Sequence, residues 1–214
     1  TDAFRKRLGL PFKNAPEWLL FGYRSPIWAD WLRMWQDAGE PITLLLAGGQ
    51  IIDSLKQASA IPSDCLTSDG DSLQTGPVRL VRIPFVPQDE FDRLLHFSDD
   101  LIVRGEDSFV RAQLSGKPFF WHIYPQDEMA HLDKLSAFWR QIYPLFPSEL
   151  AIAHRALSEE LNGKSRLNPH QRLKYWQTLH HGHSRWAAVA ESWRDGLFRQ
   201  QTATEKLANF IKHR

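Results

Sequence analysis

The stretch from Val78 to Ser115 reads VRLVRIPFVPQDEFDRLLHFSDDLIVRGEDSFVRAQLS and contains the same pattern twice. Each half begins with a short apolar run, at residues 78–85 and 101–103, and continues with helical periodicity, at residues 88–97 and 107–115. Apolar strands that alternate with helices of about 10 residues are typical of a parallel sheet covered by helices on both faces. This stretch therefore predicts an α/β fold.

The alternation continues on both sides of this stretch. Further strands are predicted at residues 18–23, 42–47 and 118–124, and further helices at residues 26–38 and 50–58. Residues 61–76 are rich in Ser, Asp and Gly and are predicted to form a surface loop. From His131 onward the pattern indicates a helical extension, with helices at residues 131–143, 148–161, 169–179, 183–198 and 202–213.

The composition excludes several classes of protein. The formal net charge of +1 argues against nucleic acid or an anionic membrane as the partner, because both require a strongly cationic surface. No apolar run approaches the roughly 20 residues that cross a bilayer. The single cysteine, Cys65, excludes an internal disulfide and predicts a cytoplasmic location. The nine tryptophans are expected to fill the core more than to line a cleft.

The ends of the predicted strands indicate where a ligand would bind. Ligands of parallel α/β sheets bind outside the carboxyl ends of the strands, where the strand order reverses. The candidate site therefore consists of the loops at Tyr23, Gly48, Phe85, Arg104 and Tyr124.

The strongest local signal is the segment Arg104-Gly105-Glu106-Asp107-Ser108, where a predicted strand gives way to a helix. Asp107 or Ser108 is suited to cap this helix, whose free N–H groups and dipole favour a diphosphate. Gly105 lets the backbone lie close to the diphosphate, and the guanidinium of Arg104 supplies a fork of hydrogen-bond donors for the phosphate oxygens. A structural cap beside a surface arginine explains the segment equally well. Glu106 and Asp107 would repel a diphosphate, so they fit better as partners of a sugar hydroxyl, of Arg104 or of the helix backbone.

A second signal lies at the preceding strand end. Phe85 and Phe91 are placed to sandwich a flat base, while Gln88 reads its polar edge through paired donor and acceptor groups. Alternatively, Phe91 belongs with Leu94 and Leu95 to the core stripe of a helix.

Possible metal ligands are sparse. Glu128 and His131 have the i, i+3 spacing of some carboxylate–histidine sites, but no second motif matches them. The histidines of His180–His183 are expected on a solvated helix end. No metal is therefore expected.

Tyr124 is placed to offer its hydroxyl to a phosphate. Fingerprints of dinucleotide-binding proteins, phosphate-loop ATPases and serine hydrolases are absent from the chain.

The run from Ile83 to His131 contains PFVPQDEFD, VRGEDSFVRAQ and WHIYPQDE in that order. It resembles the bacterial protein-arginine rhamnosyltransferases that mature elongation factor P. The resemblance implies a glycosyltransferase B architecture of two Rossmann-like domains. It also implies inverting transfer of rhamnose from dTDP-β-L-rhamnose to an arginine of elongation factor P, without a metal or other cofactor.

The resemblance also assigns roles to the candidate residues. The thymine is expected to be held by Phe85, Gln88 and Phe91. The diphosphate and sugar are expected to be surrounded by Arg104, Glu106, Asp107, Ser108 and Tyr124, with Glu106 in a supporting catalytic role.

Family members are about twice as long as this chain, so an N-terminal acceptor domain carrying an aspartate base is expected to be absent from it. The chain is expected to comprise a linker at residues 1–16, a nucleotide-sugar-binding domain at 17–200 and a crossover helix at 201–214. Alone, it is expected to be inactive.

Two other functions remain open from the sequence. The chain is compatible with the donor domain of a two-domain glycosyltransferase that uses a different nucleotide sugar. It is also compatible with a non-catalytic helical interaction module that binds no nucleotide.

Overall fold

The computed structural model describes residues 2–10, 13–126 and 129–201. Within these ranges one sheet contains the strands β1 (Glu17–Leu20), β2 (Ile42–Ala47), β3 (Ser72–Thr75), β4 (Val78–Ile83), β5 (Asp100–Arg104) and β6 (Phe119–His122). The helices are α1 (Asp2–Arg7), α2 (Ile27–Ala38), α3 (Gln50–Gln57), α4 (Gln88–Phe97), α5 (Asp107–Ser115), α6 (Ala130–Ile142), α7 (Ser148–Leu161), α8 (Pro169–His181) and α9 (His183–Phe198). A 3₁₀ turn at Tyr143–Leu145 joins α6 to α7.

The strand order determines where the sheet opens. The order is β3-β4-β2-β1-β5-β6, and every neighbouring pair except β3 and β4 is parallel. From the central β1 the chain first builds outward through β2 and β4, and then returns to add β5 and β6 on the other side. The strand order therefore reverses between β1 and β5, and a crevice is expected between the loops that follow these two strands.

The side chains of β6 show that helices cover both faces of the sheet. Successive side chains of a strand point to opposite faces. The ring of Phe120 packs on Trp31 of α2 and His154 of α7, with centroid distances of 5.5 and 4.6 Å. On the other face, Trp121 stacks on Phe109 of α5 at 3.8 Å. The structure thus confirms the predicted α/β class with helices on both faces.

The tryptophans belong mainly to the core, as expected. Trp193 is partly buried, and the other eight are buried. Trp18, on the central β1, contacts Trp35, Trp176 and Trp186, which lie on three different helices. None of the helices in the described part of the chain has the length and apolar character needed to span a membrane.

One predicted loop was partly wrong. Residues 61–76 include the strand β3, which pairs antiparallel with β4 from Ser72 opposite Val81 to Thr75 opposite Val78. The sheet is therefore mixed and not wholly parallel. Because β3 is an edge strand whose residues are only exposed or partly buried, its sequence has no apolar pattern to reveal it. The helix predicted at residues 202–213 lies outside the described residues.

Candidate functional site

An open cleft of about 330 Å³ lies where the strand order reverses, between the ends of β1 and β5. It is lined by Phe21, Tyr23, Arg104, Gly105, Glu106, Asp107 and Ser108. Four of these are residues that the sequence predicted for a diphosphate and sugar site. The cleft therefore lies at the end of the sheet where ligands of this fold class bind.

Two buried rings form hydrogen bonds with the backbone of Tyr23, just after β1. The backbone N–H of Tyr23 donates to Nδ1 of His122 at 3.2 Å, and its carbonyl accepts from Nε1 of Trp28 at 2.8 Å. Burial, together with the positive charge of Arg104, lowers the pKa of His122 to about 3. His122 is therefore neutral at pH 7 and can accept this hydrogen bond.

Gly105 forms the turn between β5 and α5. Its φ of +70° lies in the left-handed region that favours glycine. Its carbonyl accepts from Nε1 of Trp121 at 2.9 Å, and a Cβ at this position would lie 3.6 Å from the hydroxyl oxygen of Tyr23. Burial raises the pKa of Tyr23, partly offset by Arg104, so the hydroxyl remains protonated at neutral pH. These contacts fix the backbone of the turn, which presents the start of α5 to the cleft.

Arg104 is the cation at the centre of the cleft. Its Cζ atom lies 4.3 Å from the ring centroid of Phe21 and 4.9 Å from that of Tyr23. It forms no ion pair with any residue that the structure describes. Partial burial lowers the pKa of its guanidinium, because loss of water penalises the charged form. An anion in the cleft would restore the lost electrostatic stabilisation.

The two acidic residues of the cleft are already paired with cations. Glu106 accepts from Lys134 of α6, and this hydrogen bond lowers the pKa of Glu106. Asp107 accepts from Nε of Arg111 at 2.8 Å and from Nε2 of Gln88 at 3.1 Å. Neither carboxylate contacts Arg104 as an ion pair. The two carboxylates therefore repel a bound diphosphate less strongly than two unpaired carboxylates would.

The cap of α5 differs from the prediction. Glu106, and not Asp107 or Ser108, occupies the N-cap, and no side chain accepts from the first turn. The N–H groups of a first helical turn have no partner within the helix. These donors of α5 are therefore left for a ligand.

The aromatic residues predicted for a base lie beside the same cleft. Phe85 is 71% exposed and contacts the edge of Phe21 at a centroid distance of 5.9 Å. Phe91 also contacts Phe21, at 5.7 Å, but it is half-buried against the core. Gln88 is exposed and links α4 to α5 through Asp107. Phe85 thus offers the larger open ring face.

Tyr124 is the last of the predicted site residues and follows β6, whereas Phe85 follows β4. It is exposed and contacts Tyr23 edge to face at 5.4 Å. The eight predicted residues therefore line the cleft or contact a residue that lines it.

The residues considered as metal ligands have other contacts. Buried His131 accepts from the backbone N–H of Gln126 at 3.1 Å, whereas Glu128 lies outside the described residues. His183 pairs with the buried carboxylate of Asp100 at 2.9 Å, and His180 stacks on Trp176. Among the residues with described side chains, no three His, Cys, Asp or Glu come together as a metal site.

The loop at Tyr23 was named from the sequence, and Tyr23 lines the cleft. Several other residues of the site were not named. Phe21 also lines the cleft, and its position at the first strand end was the available signal. Arg111 pairs with Asp107 one helical turn away, and the i, i+4 spacing was the available signal. Lys134 reaches the site from α6, and nothing in its local sequence indicates it.

The model of a protein family described as "Elongation-Factor P (EF-P) rhamnosyltransferase EarP" matches residues 1–212. The chain belongs to the EarP family. This finding confirms the resemblance that the motifs between Ile83 and His131 suggested.

Individual EarP relatives support the assignment. The chain is 61% identical, over all of its length, to a protein-arginine rhamnosyltransferase of Neisseria meningitidis serogroup B, of which it covers 56%. It is 33% identical, over 98% of its length, to the protein-arginine rhamnosyltransferase of Pseudomonas aeruginosa, of which it covers 54%. The chain therefore spans about half the length of these relatives.

A solved EarP structure has the same fold. It is described as the structural basis for EarP-mediated arginine glycosylation of translation elongation factor EF-P. The two chains superpose with a TM-score of 0.82 at 29% identity, covering 99% of this chain and 65% of the other.

Proposed function

We propose that this chain is the donor-binding domain of an inverting protein-arginine rhamnosyltransferase. Its donor is dTDP-β-L-rhamnose, and the acceptor of the whole enzyme is an arginine of translation elongation factor P in the cytoplasm. The observation that carries this proposal is the cleft between β1 and β5, where Arg104 adjoins the uncapped start of α5. Membership of the EarP family supports the reaction class.

The diphosphate is proposed to bind between Arg104 and the first turn of α5. The guanidinium offers a fork of donors, while the free N–H groups and the helix dipole add positive potential. Lys134 and Arg111 already neutralise Glu106 and Asp107. This arrangement stabilises the negative charge of a leaving diphosphate without requiring a metal.

The thymine is proposed to stack on the exposed ring of Phe85. Phe91 is half-buried, so it would contribute through the edge of the base and through its contact with Phe21. The amide of Gln88 can hydrogen-bond the edge of a pyrimidine once its hydrogen bond to Asp107 is broken.

The sugar is proposed to lie near Glu106, Ser108 and Tyr124. Tyr124 projects into solvent from the end of β6, where its hydroxyl could reach a phosphate oxygen. Glu106 is exposed and paired with Lys134, so we assign it a supporting contact to the sugar or the incoming guanidinium. The base that activates the acceptor is assigned to the other domain of the full-length enzyme.

Calorimetry with dTDP and thymidine tests the phosphate site. Arg104→Ala should weaken dTDP binding by roughly 10- to 100-fold, since hydrogen bonds to charged groups contribute about 1.5–3 kcal/mol. Thymidine has no phosphate, so its affinity should not change. Arg104→Lys should recover only part of the loss, because a point charge does not reproduce the fork. The matched control is Arg33→Ala, which removes an exposed charge from α2.

The same measurement tests the base site and the alternatives. Phe85→Ala should weaken both dTDP and thymidine by roughly 1–3 kcal/mol, the usual contribution of base–aromatic stacking. Equal losses of dTDP and thymidine in Arg104→Ala would mean that this residue acts through the fold. Tighter binding of UDP than of dTDP would favour a different nucleotide sugar. Failure to bind any nucleoside diphosphate would favour a non-catalytic module.

A further inference from the structure

Tyr124 lies in a short connection, residues 123–126, that leaves the sheet at the end of β6. β6 is an edge strand, so β5 pairs with one side of its backbone and no strand pairs with the other side. Backbone N–H and C=O groups on such an edge need partners from elsewhere in the protein. The partners of these groups therefore determine how firmly the backbone at Tyr124 is held.

Side chains at the end of α7 and within it take the place of a neighbouring strand. Nε2 of His154 hydrogen-bonds the carbonyl oxygen of Phe119 at 3.1 Å. Asn162, which directly follows α7, donates from Nδ2 to the carbonyl of Trp121 and accepts at Oδ1 from the backbone N–H of Ile123, both at 2.9 Å. In a strand, the C=O of one residue and the N–H two residues later point to the same side. The single amide of Asn162 therefore pairs with β6 as a peptide group of a neighbouring strand would.

The orientation of the Asn162 amide is fixed. Its second Nδ2 hydrogen is donated to the carbonyl of Ser158, one turn earlier on α7, at 2.8 Å. Both N–H groups and the oxygen of the amide thus have partners. Asn162 and Ile123 are buried, so water is not available to replace these hydrogen bonds. Asn162 therefore fixes the backbone one residue before Tyr124.

His131 of α6 holds the other end of the connection. Nδ1 of this buried ring accepts from the backbone N–H of Gln126 at 3.1 Å. Only Tyr124 and Pro125 lie between the two fixed residues, and the ring of a proline restricts its own φ. Tyr124 is 61% exposed, so its position depends on these backbone contacts and on the edge of Tyr23, and not on burial.

We propose that Asn162 and His131 are positioning residues of the donor site, which hold the hydroxyl of Tyr124 at the cleft without contacting the ligand themselves. This role rests on the proposed function, in which Tyr124 contacts the diphosphate. Neither positioning residue lines the cleft between β1 and β5. Both belong to the helical extension, which thereby contributes to donor binding through the edge of the sheet.

NMR of the ligand-free chain tests the positioning itself. The ring signals of the four tyrosines are recorded, and Tyr124→Phe identifies the signal of Tyr124. Asn162→Ala should shift this signal toward that of an unstructured tyrosine, because the ring no longer keeps one orientation against Tyr23. The signal of Tyr175 on α8 should stay in place and report an intact fold. His131→Phe keeps an aromatic ring but removes the acceptor, so it should shift the Tyr124 signal in the same direction.

Calorimetry tests the consequence for binding. Asn162→Ala should weaken dTDP binding at least fivefold and leave thymidine unchanged, because thymidine has no phosphate for Tyr124 to contact. In a Tyr124→Phe background the same change should weaken dTDP less than twofold, since the hydroxyl through which Asn162 acts is already gone.

Asn168→Ala is the matched control. It removes an exposed asparagine amide at the start of α8, which accepts from the backbone N–H of Gln171 at 2.9 Å. This change should alter neither the Tyr124 signal nor the affinity for dTDP.

An unshifted Tyr124 signal in both Asn162→Ala and His131→Phe would overturn the positioning role, whatever the chain binds. Equal losses of dTDP and thymidine, or additive losses from Asn162→Ala and Tyr124→Phe, would also overturn it. If Asn162→Ala does not fold, His131→Phe serves for both measurements. A chain that binds no dTDP, or whose affinity for dTDP is unchanged by Tyr124→Phe, would instead contradict the proposed function. The tyrosine signals alone would then decide whether Asn162 and His131 position Tyr124.

Discussion

At the scale of single residues, Gly22, beside the cleft between β1 and β5, is a position with no room for a side chain. A Cβ atom at Gly22 would lie 2.4 Å from Cζ2 of Trp28 and 3.1 Å from Nδ1 of His122. The absence of a side chain lets these two rings support the backbone between Phe21 and Tyr23, whose rings line the cleft. The shape of the cleft thus depends on a residue that cannot itself contact a ligand with a side chain.

Gly22→Ala should lower the free energy of unfolding by roughly 1–3 kcal/mol, as overpacking of a core does. It should also weaken dTDP binding, because Phe21 and Tyr23 would move. Urea unfolding and calorimetry measure the two effects. The matched control is Gly196→Ala in the exposed part of α9, where a Cβ would contact nothing within 4 Å. That change should leave stability unaltered or raise it by up to about 1 kcal/mol. Wild-type stability in Gly22→Ala would contradict the tight packing.

The residues proposed to contact the ligand were easier to predict than those that hold them in place. Arg104 and Phe85 follow apolar strands, and strand ends are where this fold class binds ligands. The pairing of Glu106 with Lys134 spans 28 positions and depends on where α6 packs. Local sequence carries no information on such a contact. The compensation of the charge on Glu106 was therefore not predictable.

At the scale of elements, a buried ion pair joins three helices. Arg172 of α8 donates to both carboxylate oxygens of Glu160 on α7, at 2.8 and 2.9 Å. Trp31 of α2 donates to the same carboxylate at 3.1 Å, and the backbone N–H of Leu167 donates at 2.9 Å. All of the hydrogen bonds to Glu160 come from groups that are themselves fixed by packing. The cluster therefore sets how α2, α7 and α8 meet.

Arg172→Met should destabilise the fold by roughly 3–5 kcal/mol, because it leaves the buried carboxylate of Glu160 without its cation. The double variant E160Q/R172M should recover part of this loss, since the uncompensated charge is then gone. Urea unfolding measures both. The exposed pair Arg185–Glu149 is the control, and Arg185→Met should cost less than about 1 kcal/mol. If E160Q/R172M were no more stable than Arg172→Met, charge burial would not be the cause.

Elements with an apolar or helical pattern were predicted close to their observed bounds. β2 was predicted at residues 42–47 and is observed at Ile42–Ala47, because all of its side chains are buried and apolar or small. β3 was not predicted, because it is a short, polar edge strand that pairs with β4 on one side only. Whether an edge strand pairs depends on the neighbouring strand and on the turn at Gly76. A pattern of apolar residues reveals neither.

At the scale of the whole molecule, two buried histidines make the fold sensitive to acid. Burial lowers the pKa of His122 and of His154 to about 3. His154 hydrogen-bonds the carbonyl of Phe119 at 3.1 Å, as a neutral ring can. In the unfolded chain a histidine titrates near 6.5. Below that pH the unfolded state binds protons that the folded state excludes, so stability is greatest above pH 6.5 and falls toward pH 3.

Each of these histidines should lower the free energy of unfolding by about 1.4 kcal/mol per pH unit below 6.5. His154→Gln should therefore reduce the slope of stability against pH by about 1.4 kcal/mol per unit. Urea unfolding between pH 6 and 4.5 checks this. His170→Gln is the control, because that side chain is exposed in the folded protein. The pair His183–Asp100 opposes the effect: hydrogen bonding to Asp100 raises the pKa of His183, and that stabilisation is lost as the pH rises. An unchanged slope in His154→Gln would show that this histidine is protonated in the fold.

The last prediction is that this chain alone binds dTDP-β-L-rhamnose but does not transfer the sugar. An arginine acceptor is protonated at neutral pH, since its pKa exceeds about 12, and needs an anion to position or deprotonate it. In an inverting transfer that anion must lie opposite the leaving diphosphate. Glu106 and Asp107 lie beside the proposed diphosphate site and are already paired with Lys134 and Arg111. Mass spectrometry of unmodified elongation factor P, incubated with the chain and dTDP-β-L-rhamnose, should therefore show no added mass. Adding the remaining domain of a full-length EarP relative should produce a gain of one deoxyhexose. A gain of mass with this chain alone would contradict the proposal that the base lies in the other domain. Glu106→Gln would then test whether Glu106 serves as the base.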